Sequence, residues 1–310
     1  MLFAKSQKKL FIVAGILFLL TVVVVVFSKI SDSSSGQEPA FPVFDTAAVT
    51  VIKMTPKGGD GEVVFRKKAG KWLITTAGKN PKTFEASVMK MDQFIGTLAD
   101  LRAVNLVART GAERGKYGLD TGYTRVRLFA GESEVFAIHI GRAEMISPQE
   151  MGSYVRPENS DDIFLVSGFL DMIFNSDVSL YRSRQLGFGG VESWQEIKFT
   201  GRDNFMMIRS GLDWLVDGKK LDSAKVTEYL ATFASLEGNE FADDKSPGKN
   251  DKFLTRVDVK TVSGRGFTIS AFVTGKDTVI SSSLSPGSFF KAGSDAGIFR
   301  KLFPGLAGLK

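Results

Sequence analysis

A chain of 310 residues that is 43% hydrophobic can bury a sizeable core, and with no cysteine it has to do so without disulfides. Its formal net charge of +6 is concentrated at the start, where Lys5, Lys8 and Lys9 supply half of it. The balance over the remainder is too weak to point to nucleic acid, and one histidine without cysteine cannot build a zinc site without several carboxylates.

The first predicted element covers residues 10–27, LFIVAGILFLLTVVVVVF, a stretch without charge. At about 1.5 Å rise per residue a helix there covers roughly 27 Å, close to the ~30 Å hydrocarbon core of a bilayer. Only a helix or a closed barrel hides its backbone polar groups in lipid, so the expectation is a transmembrane anchor. Leu10, Phe11, Leu17, Phe18, Leu19, Leu20, Val24 and Phe27 are its bulky apolar residues. The lysines of residues 1–9 mark that tail as cytoplasmic by the positive-inside rule. The main body then belongs in the periplasmic or other extracytoplasmic space beyond a bacterial inner membrane. A cleavable signal peptide is the rival reading, but its apolar region is usually shorter and followed by a small-x-small site, which Val26-Phe27-Ser28-Lys29 does not supply.

Residues 28–45, with several serines, Gly36, Pro39 and Pro42, read as a flexible tether reaching on the order of 23 Å. Beyond it the pattern predicts two tandem α+β units, residues 46–180 and 181–310, each an antiparallel sheet packed on a helix. In the first, residues 49–54, 61–66 and 71–74 read as strands. Thr83 is the expected cap of a helix whose Val88, Met91, Phe94, Ile95, Leu98 and Leu101 form one apolar stripe. Strands over 124–130, 134–140, 153–156 and 163–166 follow, and then a short closing helix over 169–174. The second unit retraces these landmarks: Ile197-Lys198-Phe199, Trp214-Leu215-Val216, a helix capped by Asp222 with Val226, Tyr229, Leu230, Phe233 and Leu236, and Thr255-Arg256-Val257. Trp72 and Trp214 are expected in the two cores.

A search for chemistry finds little. His139 sits in the strand-like run Val135-Phe136-Ala137-Ile138-His139-Ile140 and lacks visible catalytic partners. Gly-x-Ser-x-Gly, a Walker loop and His-Glu-x-x-His are missing. Ser288 and Lys291 match Ser-x-x-Lys without the companion motifs. Gly187-Phe188-Gly189-Gly190 reads as a flexible joint, residues 243–251 as a solvated connection, and the basic turn of Arg66, Lys67, Lys68 and Lys71 as a protected hairpin. No catalytic, cofactor or metal residue is assigned.

Lys116-Tyr117-Gly118-Leu119-Asp120, leading into Thr124-Arg125-Val126-Arg127-Leu128 and preceded by Trp72-Leu73 and the capped helix, resembles the bacterial family catalogued as domain of unknown function 4340. The resemblance implies a single-pass extracytoplasmic protein associated with gliding-type ABC transporters, with no catalytic residues to carry over. Tyr117, Gly118 and Leu119 are then structural, the glycine supplying a positive φ. The expectation is a non-catalytic, membrane-anchored accessory or scaffold subunit without cofactor, bound to membrane proteins such as transporter subunits and not to nucleic acid. Two alternatives stand beside it. One is an envelope enzyme acting on cell-wall material through carboxylates such as Asp161 and Asp162. The other is a module binding glycan or lipid through exposed aromatic rings.

Overall fold

Runs of β-branched and aromatic residues, cut short by glycine turns, dominate the chain after the first forty residues, and they form strands. The computed structural model describes residues 40–174, 176–245, 247–248, 251–293 and 297–310. In chain order the elements are β1 (Val51–Thr55), β2 (Val63–Lys68), β3 (Lys71–Thr75), β4 (Thr83–Glu85), helix α1 (Val88–Ala99), β5 (Ala103–Ala108), β6 (Thr124–Ala130), β7 (Ser133–Ser147), β8 (Glu150–Pro157), β9 (Ile163–Ser167) and α2 (Leu170–Ile173). There follow β10 (Trp194–Gly201), β11 (Phe205–Ser210), β12 (Asp213–Val216), β13 (Lys219–Lys220), α3 (Ser223–Ala234), β14 (Lys252–Thr261), β15 (Gly266–Thr274), β16 (Asp277–Ser282), β17 (Phe289–Lys291) and α4 (Ile298–Leu302).

Two antiparallel sheets result. The nine-stranded sheet runs β4-β3-β2-β1-β6-β7-β8-β9-β5 and the eight-stranded one β13-β12-β11-β10-β14-β15-β16-β17. In each, a four-strand meander is followed by a helix, after which the chain returns to pair with the meander's first strand. Val51 thus faces Phe129 and Ile197 faces Val259.

This corrects the expected α+β class with a membrane-spanning helix in front. Antiparallel sheet carries the described fold, and the helices beside it are few and short. Among the described residues no helix is long and apolar enough to cross a membrane. The single-pass membrane assignment and its residues from Leu10 to Phe27 fall outside the described residues, as does most of the tether.

The helix stripes bury over their middle, while Val88 at the start of the first is 58% exposed. Met91, Phe94, Ile95 and Leu98 of α1 are enclosed, and Phe94 packs 5.6 Å from Phe65 of β2 and edge-on, 4.6 Å, from Phe174. Val226, Tyr229, Leu230 and Phe233 of α3 pack in the second core with Trp194, Trp214 and Phe267. Trp72 is buried as well. The first helix begins later than expected: Thr83 opens β4, and Ser87 is the cap position. Asp222 does cap α3, accepting from the backbone N–H of Lys225 at 2.9 Å.

Candidate functional site

Antiparallel pairing lines up residues that the sequence keeps far apart. Thr55, Arg125, His139 and Arg156 stand directly opposite one another across β1, β6, β7 and β8. His139 is only 4% exposed, and Tyr123 stacks on its ring at 4.4 Å. Its Nδ1 faces a guanidinium nitrogen of Arg156, and its Nε2 lies 2.8 Å from Glu158 Oε2. A guanidinium only donates, so Nδ1 is the acceptor and Nε2 carries the hydrogen given to Glu158. Arg125 completes the carboxylate's shell with two bonds, at 2.8 and 2.7 Å.

The other terminal nitrogen of Arg156 is spent on backbone. It donates to the carbonyls of Pro157, Glu158 and Ser160, the last at 2.7 Å. Burial, aided by the Arg156 charge and opposed by Glu158, lowers the His139 pKa from 6.5 to about 4. Burial pushes Glu158 upward, but the hydrogen bond from Arg125 and the His139 contact outweigh it and hold the carboxyl below its usual range. A histidine that gives one nitrogen to a carboxylate and lends the other to a permanent cation has no lone pair to offer a substrate. The dyad resembles a general base, yet its geometry makes it a brace across three strands.

A second cationic centre was not legible in the sequence. Arg182, 5% exposed, lies between the rings of Phe84 and Phe241, its guanidinium carbon 3.6 and 3.8 Å from their centroids. It pairs with Asp243 through both terminal nitrogens and donates to Ser288 Oγ at 2.8 Å. Asp243 therefore anchors a buried cation, where the sequence had read a solvated connection. Ser288 accepts from that cation while Lys291 pairs with Glu240, so the two do not form a reactive pair. Gly187, read as part of a flexible joint, is tightly packed: a Cβ there would lie 1.7 Å from the Phe233 carbonyl oxygen.

The remaining candidates separate. Asp161 is taken by Arg114, and the Asp162 backbone N–H donates to Ser160 Oγ. Among the described residues no group of three or more His, Cys, Asp or Glu is placed to hold a metal. Trp72 and Trp214 lie in different sheets. Tyr117, Gly118 and Leu119 close a 3₁₀ turn over Gly111–Tyr117, with Gly118 at φ +66°. Leu119 packs with Ala108, Tyr154, Ile163 and Leu165 in a small core of its own, and Tyr117 rests 4.7 Å from Tyr154.

One surface combines features that point outward. Met145 and Met151 are register partners on β7 and β8, and strand alternation puts them on the same face as Ser153. That face carries α2, since Ser153 Oγ accepts from the Leu170 N–H and donates to the Gly168 carbonyl. Phe169 and Met172, beside and within α2, extend the patch. Met145 is 64% and Met172 68% exposed, and Met151 and Phe169 are exposed too. On the other flank of α2, Leu170 and Ile173 line an open groove of about 550 Å³ shared with Gln93, Gly96, Thr97 and Asp100 along α1. Four large apolar side chains in one place are a surface that water penalises.

No curated protein and no solved structure matches the chain. The model of the family described as Domain of unknown function (DUF4340) matches residues 92–252, from α1 through the start of β14 and just over half of the 310 residues. The chain, whose methionine patch lies wholly within that segment, is a member of the DUF4340 family.

Proposed function

We propose that this protein is a non-catalytic, extracytoplasmic accessory or scaffold subunit of an envelope complex of ABC-transporter type, and that it binds a protein partner through the surface around α2. The observation that carries the binding role is the exposed cluster of Met145, Met151, Phe169 and Met172 beside the α1–α2 groove. Methionine is unbranched and polarizable, so a methionine-rich surface adapts to a partner's contours, and covering it returns roughly 25 cal/mol per Å² of apolar area. The internal pairing of His139 supports a non-catalytic reading, because the residue best suited to acid–base work is committed to Glu158 and Arg156. The compartment and the transporter association rest on the family resemblance.

Affinity purification of the full chain from a detergent-treated lysate of its native host tests the reading. The unaltered chain is expected to recover transporter subunits, and a Met145→Glu/Met172→Glu variant with unchanged circular dichroism is expected to lose them. Recovery of no membrane protein by the unaltered chain, or equal recovery by both, overturns it.

A further inference from the structure

Sheets end in strands whose outer N–H and C=O groups need a partner, water or protection. Of the four edges here, three are closed or charged. Alongside β4, the Ser183 N–H donates to the Glu85 carbonyl and the Ser87 N–H to that of Tyr181, both at 2.8 Å. Alongside β17, the Lys291 N–H donates to the Glu240 carbonyl at 2.9 Å and the Ala242 N–H to the Phe289 carbonyl at 2.8 Å. At the far edge of the second sheet β13 consists of Lys219 and Lys220 alone. The fourth edge, β5, is different. It reads Ala-Val-Asn-Leu-Val-Ala, has no charge and no proline, and pairs with β9 alone among the strands. Its first three residues are exposed, Val104 at 44%.

We infer that β5 is a docking edge for an extended segment of a partner protein that carries carboxylates at both ends of a short, alternating apolar run. The charge comes from the flanks. Arg102 immediately precedes β5 and Arg109 immediately follows it, both exposed, and neither has an ion pair or side-chain hydrogen bond among the described residues. A strand added there gains main-chain bonds from the edge and an acid at each end from the arginines. Irregular register at Ala103/Asn105 and Leu106/Ala108, and a 3.4 Å bond from the Tyr117 hydroxyl to the Val107 carbonyl, limit the added pairing to a few residues around Asn105. A second copy of this chain fits poorly. Antiparallel pairing of β5 with itself brings Arg102 of one copy near Arg109 of the other at both ends, and like charges on neighbouring strands repel.

This inference rests on the partner-binding reading only in requiring a protein partner, and it is tested without one. The probe is a synthetic peptide of alternating valine and threonine ended by two glutamates on each side, compared with its lysine-ended counterpart at low salt. The glutamate peptide is expected to slow amide hydrogen exchange across residues 103–106. It should bind about fivefold more tightly than the lysine peptide, as two exposed ion pairs allow. Arg102→Glu/Arg109→Glu, a change confined to exposed side chains, should reverse that preference. Exchange at β5 unaffected by the glutamate peptide, equal binding of the two peptides, or protection that grows with protein concentration alone overturns the proposal. Those results leave the methionine-patch purification unaffected, so the two readings fail separately.

Discussion

At the scale of single residues, two buried arginines carry the internal electrostatics, and each is readable only after the chain has folded. Removing one partner of a buried ion pair leaves the other desolvated and alone. Arg182→Ala is therefore expected to cost about 3 kcal/mol in urea unfolding, with Arg182→Lys recovering only part because it cannot stack between two rings while gripping Asp243 and Ser288. This centre was not legible in the sequence: Phe84, the Phe241–Asp243 loop and Ser288 belong to three separate stretches. His139 was legible as a strand residue without catalytic partners, but its true neighbours are Arg156 of the opposing strand and Glu158 just beyond that strand's end. Its folded pKa of about 4 lies below the ordinary 6.5, so the unfolded chain binds the proton more readily in that interval. The associated stability is complete above pH 6.5 and drains away as pH falls toward 4, and Glu158, held below its usual range, adds to the loss in the same direction. A His139→Gln variant, which keeps an acceptor and a donor, should show a flatter dependence of the urea midpoint on pH over that window, the difference reaching up to about 3 kcal/mol.

At the scale of elements, the Tyr-Gly-Leu motif shows what sequence reading reached and where it stopped. The glycine's left-handed conformation was foreseeable from its place after a turn. What it serves is contact with β7, where a Cβ on Gly141 would lie 2.2 Å from the Tyr117 carbonyl oxygen and 2.9 Å from the Leu119 side chain. Gly141→Ala is expected to cost about 2 kcal/mol by overpacking, and Gly118→Ala about 1–2 kcal/mol by backbone strain, both checked by thermal unfolding. The alternating strands around the first helix and both amphipathic helices were visible because periodicity reports directly on burial. β4 and β5, and in the second sheet β11, β13 and β15 to β17, were not; β4, β13 and β17 have only two or three residues, too little pattern to distinguish strand from loop. The α+β class gives way to sheet because the two amphipathic helices are short beside the strands that surround them.

At the scale of the whole molecule, Phe44–Lys310 forms one compact unit. The Arg182 segment binds β4 on one side and the loop before β14 on the other, coupling elements from both sheets. Calorimetry should accordingly find a single unfolding transition with equal calorimetric and van't Hoff enthalpies, and Arg182→Ala should broaden or split it. The return of the chain to the first strand of each meander has a further consequence during synthesis. β1 cannot acquire its second neighbour until β6 has emerged, and β10 must wait in the same way for β14. Until then each nascent ribbon has a sticky flank, so the growing polypeptide is most prone to clumping just before β6 and again just before β14, the two moments at which a chaperone would have most to shield.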